Sequence, residues 1–126
     1  MTHFISGHLD LSPAEFDAHY RPAIDEALVR GDSFVAGDAR GADVLAQNYL
    51  LGKTNAVVVY HMLTDPRNNV GFVAIGGFET DEQRDVRMTA DSDADIAWVR
   101  PGRQKSGTQK NLDRRKRRNP AGGQSG

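Results

Sequence analysis

The sequence predicts an α/β domain: a doubly wound, mostly parallel sheet with helices on both faces. Three observations carry that reading. Apolar segments of strand length alternate with segments of helical periodicity, in the order β-α-β-α-β-(β)-α-β-α. The segment NAVVVYHML, residues 55–63, is almost continuously apolar, as a strand covered on both faces must be. Two capping-box patterns, Ser12 to Glu15 and Thr80 to Gln83, open helices between the apolar strands.

Each element follows from local chemistry. Residues 3–6, HFIS, form a short apolar strand that ends at Gly7. Ser12 and Pro13 then open an amphipathic helix over 13–30, with Phe16, Tyr20, Ile24, Ala27 and Leu28 at helical spacing and Gly31 as its stop. Residues 33–37, SFVAG, are the second strand. A helix begins near Gly41, shows Ala42, Leu45, Ala46, Tyr49 and Leu50 on one face, and ends at Gly52. The strand at 55–63 and the loop TDPRNNVG lead to FVAIGGF, residues 72–78, which reads as a strand or as an extended connection. Thr80 opens a polar helix to about Ser92, DIAWV (95–99) is the last strand, and residues 109–118 are helical after a glycine- and hydroxyl-rich loop. No internal repeat is present.

Composition bounds the function classes. At 126 residues, 38% hydrophobic and 26% charged, the chain has the profile of one soluble globular domain. No apolar run approaches a membrane span, so no membrane partner is expected. The N-terminus enters an apolar segment with no basic region before it, so no signal peptide is expected. The absence of cysteine removes disulfides, thiolate metal sites and cysteine nucleophiles, and suits a cytoplasmic location. The net charge of −1 conceals an asymmetry. Residues 103–118 hold eight of the sixteen Lys and Arg and a single acid, Asp113, while the preceding residues carry a net −8. Opposite fields on one small chain imply that the tail either folds against an acidic body or meets another polyanion.

In a doubly wound sheet, ligands sit beyond the carboxyl ends of the strands. The segments that follow the strands are Ser6-Gly7-His8, Gly37-Asp38-Ala39-Arg40-Gly41, His61, and Arg100-Pro101-Gly102 with Ser106-Gly107-Thr108 beyond. Glycines let backbone N–H groups approach a ligand, and a helix starting at Gly41 directs free N–H groups and the positive end of its dipole toward it. Arg40 supplies a planar bidentate donor for phosphate or carboxylate. The chemistry points to an anion, above all a phosphate. The competing reading is that Gly37 and Gly41 only make a tight turn beside a solvated Arg40.

SG after the first strand, GDARGAD after the second and SGT after the last resemble the Rossmann-like SLOG superfamily, which includes the DNA-processing protein A fold and the Lonely Guy phosphoribohydrolases. The resemblance covers about residues 3–112. It implies a nucleotide or nucleoside phosphate ligand held by Ser6, Gly7, Gly37, Arg40 and Gly41, with Asp43, and by Ser106, Gly107 and Thr108. It also implies an N-glycosidic reaction if the protein is an enzyme. The Lonely Guy motif PGGxGTxxE has its nearest match in IGGFETDEQ, residues 75–83, with Ile75 for the proline, Glu79 for the third glycine and Gln83 in place of the glutamate. Glu82 stands one residue short of that position. On this reading residues 1–112 are a Rossmann-like nucleotide-binding domain, and 113–126 form a basic, partly flexible tail.

The candidate carboxylates for an N-glycosidic reaction are Asp43 and Asp85, with Glu79 and Glu82 behind them. Arg84 beside Asp85 forms either a ligand-facing pair or part of a solvated helix face. Asp43 either acts at the sugar, complements the helix dipole or fixes Arg40. The four histidines show no metal-ligand spacing, so neither metal nor cofactor is expected, although His8 and His61 stand at strand ends. Trp98 reads as a core residue. The run Arg114–Arg118 fits a helix end complementing its own dipole, a contact between subunits of a homo-oligomer, or binding to nucleic acid. That last option defines the alternative function, a non-enzymatic nucleic-acid module.

Overall fold

The structure, a computed structural model, describes residues 1–118. Five parallel strands, β1 (Thr2–Ser6), β2 (Ser33–Gly37), β3 (Val57–Met62), β4 (Val73–Phe78) and β5 (Ala94–Ala97), make one sheet in the order β4-β3-β2-β1-β5. The chain is thus a Rossmann-like, doubly wound α/β fold. FVAIGGF is a strand, held at the exposed edge of the sheet next to β3.

Side-chain alternation sorts the core into two layers. Ile5, Phe34, Val57 and Ile96 project to one face and pack with Phe16, Ile24, Ala42, Ala46 and Leu50 from the helices α1 (Pro13–His19), α2 (Arg21–Arg30) and α3 (Ala42–Leu50), and with Tyr20 between the first two. Phe4, Val35 and Tyr60 project to the other face and meet Met88 of α4 (Asp81–Asp91). Helix α5 (Gly107–Arg118) packs beside α4 and β5. No helix among the described residues is long and apolar enough to cross a membrane.

Most element boundaries shift by one or two residues from the sequence reading, and two differences bear on the core. The helix expected over 13–30 is broken at Tyr20, whose φ of −118° leaves the helical range. Pro22 explains the break: it has no N–H to donate to Ala18, and its ring crowds that carbonyl. Tyr20 uses the break to enter the core, where its hydroxyl donates to the Ser6 carbonyl (2.8 Å) and accepts from Trp98 N–H (3.1 Å). The last strand stops at Ala97, so Trp98 lies beyond it, half-buried and stacked on His19 at 3.9 Å. The Ser12–Glu15 capping box forms in both directions, at 2.9 and 3.1 Å.

The division at 112/113 falls inside α5, which runs unbroken to Arg118. Two of its cations fold back onto α4. Arg115 donates to the Ser92 carbonyl (2.9 Å) and pairs with half-buried Asp95 (3.2 Å), and Arg118 donates to the Ser92 and Thr89 carbonyls. These carbonyls stand at the end of α4, where helical hydrogen bonds run out and a cation also complements the helix dipole. Residues 119–126 of the expected tail lie outside the described residues.

Candidate functional site

Because β1 is flanked by β2 on one side and β5 on the other, the connections leaving β1 and β5 diverge to opposite faces of the sheet and open a crevice at the carboxyl edge. A cleft of about 280 Å³ occupies it. Its floor is Phe4, Ser6 and Gly7 from the end of β1, with Met88 of α4. One wall is Asp43 of α3 with Ala39, and another is Asp81, Arg84 and Asp85 of α4. The third is Arg103, Ser106, Gly107, Thr108 and Asn111 at the start of α5. His8, Leu9 and Arg67 complete the rim.

The ion network beneath the cleft is built from the bottom up. Asp38, at the end of β2, is completely buried. It accepts from Arg67 N–H (2.8 Å), Arg67 Nη2 (2.8 Å) and Arg84 Nη1 (2.9 Å). Burial alone would raise its pKa, but the Arg67 hydrogen bonds outweigh that and hold it below the usual carboxylate range. Arg84, 5% exposed, spreads its guanidinium over three acids: Asp38, Asp81 (3.1 Å) and Asp85 (3.1 Å). Burial opposes its charge, and the surrounding carboxylates more than restore it. The Arg84–Asp85 pair therefore lines the cleft and is not a solvated helix face.

Asp43 is in a different state. Its carboxylate is buried over the backbone of Gly37 and accepts one hydrogen bond, from Ala39 N–H at 3.1 Å. Desolvation is the largest influence, and Arg84 only partly offsets it. The pKa is pushed up to about 7. Asp85 is also raised by burial, against the pull of Arg84 and a hydrogen bond from Asn111 (3.1 Å). Gly37 makes this arrangement possible: a Cβ there would stand 2.6 Å from Asp43 Oδ2 and 2.9 Å from Arg84 Cζ.

A carboxyl with a raised folded pKa binds more protons in the native state than in the unfolded chain. Its stabilising contribution is complete below the unfolded value and is lost as pH rises through the folded one. Asp43→Asn, which cannot ionise, should therefore flatten the decline in stability between about pH 4 and pH 7. Chemical denaturation at a series of pH values measures this, and an unchanged slope would remove Asp43 as a titrating group in that window.

The cleft also contains an unsatisfied hydroxyl. Ser6 is 6% exposed, and its Oγ has no hydrogen-bond partner among the described residues. Buried polar atoms without partners are rare, and the other one among the described residues is Thr89 Oγ1.

The structure does not bring every sequence candidate to the cleft. Ser6, Gly7, Asp43, Arg84, Asp85, Ser106, Gly107 and Thr108 line it. Gly37 lies beneath its walls. Arg40 is exposed and is not part of the lining. The reason lies in Gly41, whose φ of 75° and ψ of −125° press the start of α3 against the backbone of His8 and Leu9. Ala42 N–H then donates to the His8 carbonyl (3.2 Å), so the amino end of α3 is covered by protein. Glu79 and Glu82 are exposed and lie outside the lining. The amino end of α4 already carries Asp81 and Glu82, an unfavourable place for an anion. Gly76 and Gly77 lie within β4, where the ring of His61 packs against Gly76.

By contrast, α5 opens toward the cleft. Ser106 caps it, accepting from Gln109 N–H at 3.2 Å, and Gly107 and Thr108 present the first turn to the lining. His8 Nε2 accepts from Arg100 N–H (2.9 Å), and burial with the nearby Arg103 and Arg100 lowers its pKa. Sequence reasoning did not single out Asp38, Arg67, Asp81, Arg103 or Asn111 as site residues. Asp38 stood in the glycine-rich turn and carried a usable signal. Arg67 lies in a ten-residue connection whose docking, through Gln47 to Asn68 O (3.2 Å) and Val70 N–H (3.1 Å), has no local signature. Among the described residues no three acidic or histidine side chains are grouped as metal ligands. Comparison of the chain with protein-family models, curated proteins and solved structures found no match.

Proposed function

We propose that the cleft binds a nucleotide or nucleoside phosphate and acts on its N-glycosidic bond. The observation that carries this reading is the grouping of two desolvated carboxyls, Asp43 and Asp85, with the unsatisfied Ser6 hydroxyl, across from the amino end of α5. Carboxyls and a hydroxyl suit sugar hydroxyls and a developing positive charge. The first turn of α5 and Arg103 suit a phosphate. The SLOG resemblance of SG, GDARGAD and SGT points the same way.

Cleavage of an N-glycosidic bond passes through an oxocarbenium-like transition state that a carboxylate stabilises, as in glycoside hydrolysis. A group that titrates near neutrality is matched to donating a proton to the departing base. Asp43 fits that role, and Asp85, fixed by Arg84, fits charge stabilisation at the anomeric carbon. The bond from that carbon to the base nitrogen breaks, the base leaves with the Asp43 proton, and water or an acceptor hydroxyl adds to the carbon and gives up its proton to the Asp43 carboxylate. Two carboxyls with different environments divide acid and charge-stabilising roles in this way.

The decisive experiment is incubation with a panel of nucleosides and nucleotides, read by chromatography for free base and by ligand-induced thermal shifts. Phosphate recognition is carried by Arg103 and α5. Arg103→Ala should therefore weaken binding of a phosphorylated ligand by about 1–2 kcal/mol relative to the bare nucleoside, a partly exposed charged hydrogen bond. Arg40→Ala should leave both unchanged. If calorimetry shows the larger loss for Arg40→Ala, the phosphate belongs on the α3 turn instead. The nucleic-acid reading ranks second because Arg115 and Arg118 are engaged with α4. Strong salt dependence of polyanion binding would favour it.

A further inference from the structure

The basic run at 114–118 is not wholly separate from the cleft. Arg114 Nη1 donates to Asn111 Oδ1 at 2.6 Å, and Asn111 Nδ2 donates to Asp85 Oδ2 at 3.1 Å. Asn111 is 3% exposed, one turn before Arg114 on α5, so this contact crosses from α5 to α4 in a largely dry setting. An asparagine amide can present either its oxygen or its nitrogen. A guanidinium only donates, so Arg114 obliges the amide to turn its oxygen inward along α5 and its NH2 group toward Asp85. The other Asp85 oxygen accepts from Arg84 Nε (3.2 Å) and Nη2 (3.1 Å). Each carboxylate oxygen is thereby held from a different helix, and rotation of the carboxylate is blocked.

We propose that Asn111 and Arg114 are positioning residues for Asp85: Arg114 locks the Asn111 amide, and the amide fixes the carboxylate in the cleft. The assignment of a chemical role to Asp85 rests on the function proposed above, but the link itself does not. Other charges act on the same carboxylate: Arg84 on α4 and Arg114 itself, through its charge, favour the ionised form, and Asp43 on α3 repels it. Asp81 on α4, Arg67 on the β3–β4 connection and Arg103 ahead of α5 also line the cleft that it faces, and Asp38 after β2 lies beneath it. The relay adds to this field a directional contact that a diffuse charge would not supply. It also gives the first cation of the basic run a role that the remaining cations do not share.

The test is a carboxyl-carbon NMR titration of the full chain without ligand, with the Asp85 signal assigned through Asp85→Asn. Arg114→Met and Asn111→Ala should each move the Asp85 midpoint upward by about half a pH unit or more, since each removes support for the ionised form. Arg114→Lys, which keeps a donor and a charge, should restore most of the wild-type value. Direct action of the Arg114 charge on Asp85 adds to the Asn111 effect in full, so the relay is read from the double variant, which should move the midpoint by less than the two single shifts together. An Asp85 midpoint unchanged in folded Arg114→Met, or single shifts that add in full, would overturn the relay. Should Arg114→Met not fold, Asn111→Ala decides alone, and an unshifted Asp85 there overturns it equally. With nucleoside 5′-monophosphates as probes, Arg114→Met should lower kcat several-fold while KM stays within twofold. If the wild type cleaves none of them, the function reading fails while the titration still decides the relay.

Discussion

Replacing Arg84 with Met should destabilise the protein by about 3–5 kcal/mol, the cost of leaving buried carboxylates without their counter-charge. Arg84 is the one cation that touches Asp38, Asp81 and Asp85 together. Asp38 and Asp81 would keep Arg67, at 2.8 Å from each, but Arg67 is 44% exposed and makes no bond to Asp85. Asp43 and Asp85, already raised by desolvation, would lose the charge that moderates both. The sign of the pH dependence follows: without Arg84 these groups take up protons at still higher pH, so the deficit relative to wild type should shrink as the solution is acidified. Urea denaturation at pH 7.5 and pH 5 measures both effects. A loss under about 1 kcal/mol at the higher pH would mean that the network is wetter and less coupled than its geometry implies.

Gly41→Ala should cost about 2–5 kcal/mol, combining backbone strain with an overpacked contact. At φ 75° and ψ −125° the residue lies where only glycine is at ease. A Cβ there would meet the His8 and Leu9 carbonyl oxygens, each at 2.4 Å, and the His8 carbonyl already accepts from Leu11 N–H and Ala42 N–H. Gly31 is the matched control. Its φ is likewise 75°, but nothing lies within 4 Å of a Cβ, so Gly31→Ala carries only the left-handed strain of about 1–2 kcal/mol. Equal losses for the two variants in thermal denaturation would show that the α3 turn yields without resistance. The cleft should suffer with Gly41→Ala, because His8 and Leu9 form part of its rim.

What the sequence determined by itself was whatever depends on near neighbours in the chain. The apolar run at Val57–Met62 specified a strand covered on both faces, and the Ser12 and Thr80 caps specified where two helices begin. The alternation of these elements was enough to imply the parallel sheet and the edge at which its loops gather. That placed Ser6, Gly7, the turn at 37–41 and Ser106–Thr108 at one end of the molecule, while Arg84 and Asp85 stayed open between a ligand-facing pair and a solvated helix face. Tertiary structure decided which of them share a cleft. Arg40 and Asp43 lie three residues apart, yet one is exposed and the other is desolvated, because the chain after β1 lies over Gly41. Asp38 meets Arg84 across 46 residues and Arg67 across 29, contacts with no periodicity or spacing to announce them. The break at Tyr20 and the bonds from Arg115 to α4 are of the same kind. A proton affinity such as that of Asp43 depends on how much water and which charges surround the group, and those are properties of packing, which no single segment of the chain carries.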